Sequence, residues 1–134
     1  MERLTFYFDR CFGKRLPEAL KRVRPPFEIE WHHSSKNKFK QTMKDDDWLE
    51  VCGQRGWIAF SHDRKFHSIE VEARAIKQHS VAAFCLCGAQ DDTWRKLGYF
   101  IKSFPRIVEA VKAEKPPFLY RIEPTGALRR VELP

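Results

Sequence analysis

Apolar runs of four to six residues, each closed by polar or turn-forming residues, alternate along the chain with stretches whose apolar residues recur every three or four positions. Short unbroken runs suit strands buried on both faces, and the wider spacing suits amphipathic helices, so the pattern predicts an α/β fold with a central, mainly parallel sheet. Residues 3 to 8 read as the first strand, which ends on Asp9. Leu16, Ala19, Leu20 and Val23 then predict a helix with Pro17 in its first turn, stopped by Pro25-Pro26. Phe27, Ile29 and Trp31 alternate with Glu28, Glu30 and His32, as in a strand with one wetter face near the edge of a sheet.

Ser34 to Thr42 is polar and reads as a mobile loop, with Lys36, Lys38 and Lys40 set around Phe39. Asp45-Asp46-Asp47 opens a helix whose apolar side is Trp48, Leu49, Val51 and Cys52, with Gly53 and Gly56 closing it. Trp57 to Phe60 is the next buried strand and runs into Ser61-His62-Asp63-Arg64. A helix with Val71, Ala75 and Ile76 as its contacts follows, and then a strand over Val81 to Cys87. Trp94, Leu97, Phe100 and Ile101 mark a last helical stretch, which Pro105 kinks or restarts before it runs on to Lys115. Beyond Pro116-Pro117, Phe118 to Ile122 and Leu128 to Leu133 flank Pro124-Thr125-Gly126, a hairpin signature. Residues 1–115 therefore read as one domain, and residues 116–134 as a hairpin extension of it.

The length of 134 residues allows one core and not two. Lys and Arg number 25 against 18 Asp and Glu, and any acids gathered at a site leave the remaining surface more basic still. That balance fits a polyanion docking on basic flanks. Cys11, Cys52, Cys85 and Cys87 form no C-x-x-C pair, which argues against a closed zinc site. With no leader and no apolar run approaching ~18 residues, the expectation is a reduced, cytoplasmic protein with no membrane contact.

In a parallel sheet, ligands bind at the carboxyl ends of the strands, and a helix leading into a parallel strand starts at that same edge. Asp9, Asp63 and the turn at Asp45 therefore share one edge. Asp45 lies four residues before Leu49 and seven before Cys52, on the helix's sheet-facing side, while Asp46 and Asp47 turn outward. Carboxylates gathered in this way repel, and a hard divalent cation relieves them; Mg2+ or Mn2+ takes such oxygen ligands and activates water against a phosphodiester. Asp9, Asp45 and Asp63 are the metal candidates, with Asp46 and Asp47 ranked below them and Ser61 holding a carboxylate or a water. An aspartate at a strand end is as often a turn former or helix cap, so convergence of the three carries the reading. His62 alternates away from Ser61 and Asp63 and reads as structural, and adjacent His32 and His33 face opposite ways.

The strand ending in Asp9, the acidic turn before Trp48-Leu49, Arg55-Gly56-Trp57, Ser61-His62-Asp63-Arg64 and the Pro116-Pro117-Phe118 tail resemble the PIN-like ribonucleases, especially the VapC-type toxin branch. The resemblance implies a three-layer α/β/α fold, RNA cleavage dependent on Mg2+ or Mn2+, and a cognate antitoxin that blocks the site, with a homodimer as an open alternative. Many PIN domains carry a further acid two residues after the position matching Asp63, where this chain has Lys65. A fourth ligand would come from Glu72, Asp91 or Asp92. Arg10, Lys14, Arg15, Arg64 and Lys65, with Lys36, Lys38 and Lys40 of the loop, are candidates for RNA phosphates. Lys65 keeps open a module that grips RNA or a protein without cutting. A receiver-like signalling domain would want an acidic pair after the first strand and a lysine ending a late strand, and neither Asp9-Arg10 nor Cys87-Gly88 supplies them.

Overall fold

A computed structural model describes residues 4–9, 12, 14–32, 45–62, 66–88 and 91–134, the side chains at 45, 46 and 66–70 excepted. The elements run β1 (Thr5–Phe8), α1 (Arg15–Arg22), β2 (Glu28–Trp31), α2 (Asp45–Arg55), β3 (Ile58–His62), α3 (Phe66–His79), β4 (Ala82–Leu86), α4 (Thr93–Ala113), β5 (Phe118–Ile122) and β6 (Leu128–Val131). The strands form one six-stranded sheet in the order β2-β1-β3-β4-β5-β6, parallel except for the antiparallel β5/β6 hairpin.

Alternation along the strands sorts the core into two layers. Phe6, Phe8, Phe60 and Phe84 point to one face, where α1 and α4 cover them with Leu16, Leu20, Phe100 and Ile107. Phe8 and Phe60 stack with ring centroids 5.0 Å apart, and Phe60 and Phe84 at 5.4 Å, so a floor of interlocked rings lies under the carboxyl ends of the central strands. Tyr7, Ala59 and Ala83 point to the other face, beneath Trp48, Leu49 and Cys52 of α2 and Ala73, Ala75 and Ile76 of α3. Small residues on this side let the helices approach closely. The result is a three-layer α/β/α architecture with helices on both faces of the sheet.

Four local expectations give way to tertiary contacts. Gly53 does not close α2, which runs on to Arg55; a Cβ at Gly53 would sit 2.1 Å from the carbonyl oxygen of His79, so the glycine is where α2 and α3 touch. In α3, Glu72, Ala75 and Ile76 face inward, with Glu72 only 2% exposed and Val71 62% exposed, whereas the spacing predicts Val71 as a contact. Pro105 does not restart the pattern in a second piece, because it lies inside one 21-residue helix, α4. The carbonyl that proline deprives of a partner belongs to Ile101, on the solvent side, where water can serve it. Val23 is exposed because α1 ends at Arg22. The segment Ser34 to Thr42 lies outside the described residues.

Candidate active site

The chain passes from β1 through α1 to β2 on one side, then returns across β1 through α2 to β3 on the other. Strand order therefore reverses between β1 and β3, and successive helices cover opposite faces. A crevice opens outside the carboxyl ends of strands at such a switch point. Asp9 is the residue that follows β1 there. Its backbone N–H donates to the Phe60 carbonyl at 3.1 Å, and the N–H of His32 donates to the Phe8 carbonyl at 3.1 Å, so the ladder continues past the last residues of β1 and β2. Asp9 is 1% exposed.

Register fixes which face it shares. Phe8 pairs with Phe60 and with Trp31, so the next residues along, Asp9, Ser61 and His32, belong to the face of Tyr7 and Ala59, on the side of α2. Cys52 of α2 feels the charge of Asp9: burial pushes its thiol up, Arg55 pulls it down, and Asp9 pushes it further up. Ser61 is buried, and its Oγ is hydrogen-bonded to Cys85 Sγ at 3.4 Å. A buried polar row, His32, Asp9, Ser61 and Cys85, thus crosses four neighbouring strands just below the edge.

Because α2 leads into a strand parallel to β1, its first residue, Asp45, stands at the same edge, with Asp46 next to it and Asp47 exposed. Leu49 and Cys52, four and seven residues on, are buried against the sheet. β3 ends at His62, so the chain leaves the sheet at this edge directly before Asp63. Asp63, Arg64 and Lys65 lie outside the described residues, as do Arg10 and Lys36, Lys38 and Lys40. Lys14 and Arg15 are exposed at the start of α1, again on the carboxyl edge. His62 packs on the opposite face with its ring 4.1 Å from that of Phe12.

The lower-ranked acids have other occupations. Asp92 caps α4, its Oδ1 accepting from the Arg95 N–H at 2.9 Å, and Asp91 Oδ2 accepts from the Tyr99 hydroxyl at 2.6 Å, a bond that pushes the phenol up. Glu72 is buried on the inner side of α3. Among the described residues, no three His, Cys, Asp or Glu side chains are grouped closely enough to hold a metal ion. His32 is the neighbour of Asp9 that sequence reasoning passed over. Alternation with Trp31 sets the face His32 takes on its strand, but its place beside Asp9 follows from the β1/β2 register.

In doubly wound α/β sheets ligands bind at the carboxyl edge beside the switch point, which is where Asp9 is buried here. A scan of family models matches residues 4–88 to the PIN-like domain, and the chain belongs to that family, a nuclease-type superfamily. Neither the curated proteins nor the solved structures give a match. Among the described residues no helix is long and apolar enough to cross a membrane.

Proposed function

We propose that the protein is a metal-dependent endoribonuclease of the VapC-type toxin branch, working in the cytoplasm and restrained by a cognate antitoxin. The observation that carries this reading is Asp9, a carboxylate withdrawn from water at the β1/β3 switch point, on the face where α2 begins. The donor set suits a hard cation, because the acids offer oxygen ligands. Asp9, Asp45 and Asp63 would hold Mg2+ or Mn2+. When bound, the ion lowers the pKa of water and neutralises charge on the scissile phosphate.

The chain's own groups do the rest. Exposed Lys14 and Arg15 hold RNA phosphates beside the edge. The packed rings of Phe8 and Phe60 give the strands that carry Asp9 and Ser61 a rigid base. The hairpin, residues 116–134, belongs to the same domain as residues 1–115.

Asp9→Asn and Asp63→Asn should each lower Mn2+-stimulated cleavage of single-stranded RNA by on the order of a hundredfold or more, with the fold retained by circular dichroism and thermal melting. Cleavage that persists in both folded variants removes these residues from the chemistry. Lys65 favours a second reading, a PIN-like module that binds RNA or a protein without cutting. Salt-sensitive RNA binding by the wild-type chain, with no hydrolysis under any divalent ion, selects it.

A further inference from the structure

The outer face of α4 is apolar where a surface helix should be polar. Trp94 is 81% exposed and Ile101 59% exposed, one seven residues after the other, so both stand on the same side of the helix. Gly98 lies between them in the helix interior, where glycine weakens a helix relative to alanine. Among the described residues, its chain neighbours and own helix backbone apart, no atom lies within 4 Å of a Cβ at Gly98, so close packing does not demand glycine there. Bulky apolar residues either side of an unfilled notch leave a shallow cavity of about 340 Å³ lined by Trp94, Leu97, Gly98 and Ile101, with Arg95 and Lys102 at its rim. A helix with a bare glycine between two exposed large residues is shaped for close approach by another helix.

Charge selects the partner. Arg95 and Lys102 are exposed, and among the described residues their side chains make no ion pair. The acids at this end of the helix are already engaged, Asp91 by Tyr99 and Asp92 by the cap. A second copy, itself carrying a net charge of +7, would set arginine and lysine against like charge. A nucleic acid would be served by the flat ring of Trp94, but not by Ile101 or by the notch at Gly98. We propose that this face docks an amphipathic helix of a partner protein, its apolar stripe seated over Gly98 between Trp94 and Ile101 and its flanking glutamates or aspartates meeting Arg95 and Lys102. The proposal stands on α4 alone and does not depend on the chain cutting RNA.

The test uses the full-length chain and a fluorescein-labelled synthetic helix of about twenty residues, with leucines along one stripe and glutamates beside it; a lysine counterpart and labelled oligouridylate serve as comparisons. The acidic peptide should bind, more weakly as salt rises, and the lysine peptide should not. Trp94→Ala, Ile101→Ser and Gly98→Gln, all at exposed positions, should each weaken binding on the order of tenfold while melting unchanged or higher. Absence of binding, or binding indifferent to all three substitutions, overturns the proposal. So does loss of oligouridylate binding in Trp94→Ala with the peptide ignored, which makes the face a nucleic-acid platform. Self-association of the wild-type chain that Ile101→Ser abolishes also overturns it, because the occupant is then a second copy.

Discussion

A carboxylate at 1% exposure, like that of Asp9, has given up the solvation that makes it an ordinary acid, and its charge reaches neighbours through a medium that screens poorly. Cys52 registers this, since the charge of Asp9 adds to burial in holding its thiol protonated. Two glycines make the opposite case, of residues whose meaning is the absence of a side chain. At Gly53 a Cβ would meet the His79 carbonyl at 2.1 Å, so Gly53→Ala must push α2 and α3 apart. Overpacking of this kind costs about 1–3 kcal/mol, more than the gain in helix propensity returns. Among the described residues outside its own stretch of helix, no atom stands within 4 Å of a Cβ at Gly98, and the same substitution should stabilise by up to about 1 kcal/mol. Urea unfolding of the two alanine variants should therefore move in opposite directions from the wild type. A shift in the same direction would contradict the α2/α3 contact or the openness of the α4 face.

At the scale of elements, the C-terminal hairpin is tied to the end of α4 by one polar cluster. The Tyr120 hydroxyl donates to Glu114 Oε1 at 2.7 Å, and Arg130 Nη1 donates to the same oxygen at 2.6 Å. Burial alone would raise the Glu114 carboxyl, but the hydrogen bonds from Arg130 and Tyr120 outweigh it and hold the group below its ordinary value. A carboxyl depressed on folding contributes stability that is present above its unfolded pKa and is lost as pH falls through its folded value. The hydrogen bond to Glu114, followed by burial, raises Tyr120, so its share is present below the ordinary tyrosine range and lost as pH rises through the folded value. Glu114→Gln should cost up to about 1 kcal/mol at neutral pH, modest because Arg130 is half exposed. The difference from wild type should shrink as pH falls below the ordinary glutamate range and through the depressed folded value, where the wild-type carboxyl also becomes neutral. Denaturant melts across that range read this directly, and a gap that persists in acid would remove the charge from the account. The elements themselves were largely legible, because the central strands are compact apolar runs, β2 alternates apolar with polar residues, and the helices carry apolar residues every three or four positions. The rotation of α3 was not, since Val71 is exposed and Glu72 buried, a choice set by packing in three dimensions that the spacing of α3 does not display.

For the molecule as a whole, the edge where Asp9 sits follows from chain order, and so could be read from Phe6-Tyr7-Phe8-Asp9 and the start of a helix at Asp45 before any coordinates. The inward neighbour His32 required the pairing of β1 with β2, which single-chain patterns do not display. The way in which Asp91 and Asp92 are spent on Tyr99 and on a helix cap needed side-chain positions. The same edge carries Lys14 and Arg15 on the opening of α1, while Arg22 and Arg24, equally exposed, follow at its far end near the amino edge of the sheet. If RNA lies across the carboxyl edge, the two pairs cannot contribute alike. For a single strand, each phosphate contact adds about 0.7 to the steepness with which binding falls with salt. Replacing Lys14 and Arg15 together by alanine should reduce that slope by about 1.4 and weaken binding to all sequences alike. The Arg22→Ala, Arg24→Ala pair removes the same charge and should leave the slope unchanged. Titration of a labelled oligonucleotide at several salt concentrations separates them; equal loss of slope in both would mean that RNA follows the length of α1, away from the edge that holds Asp9.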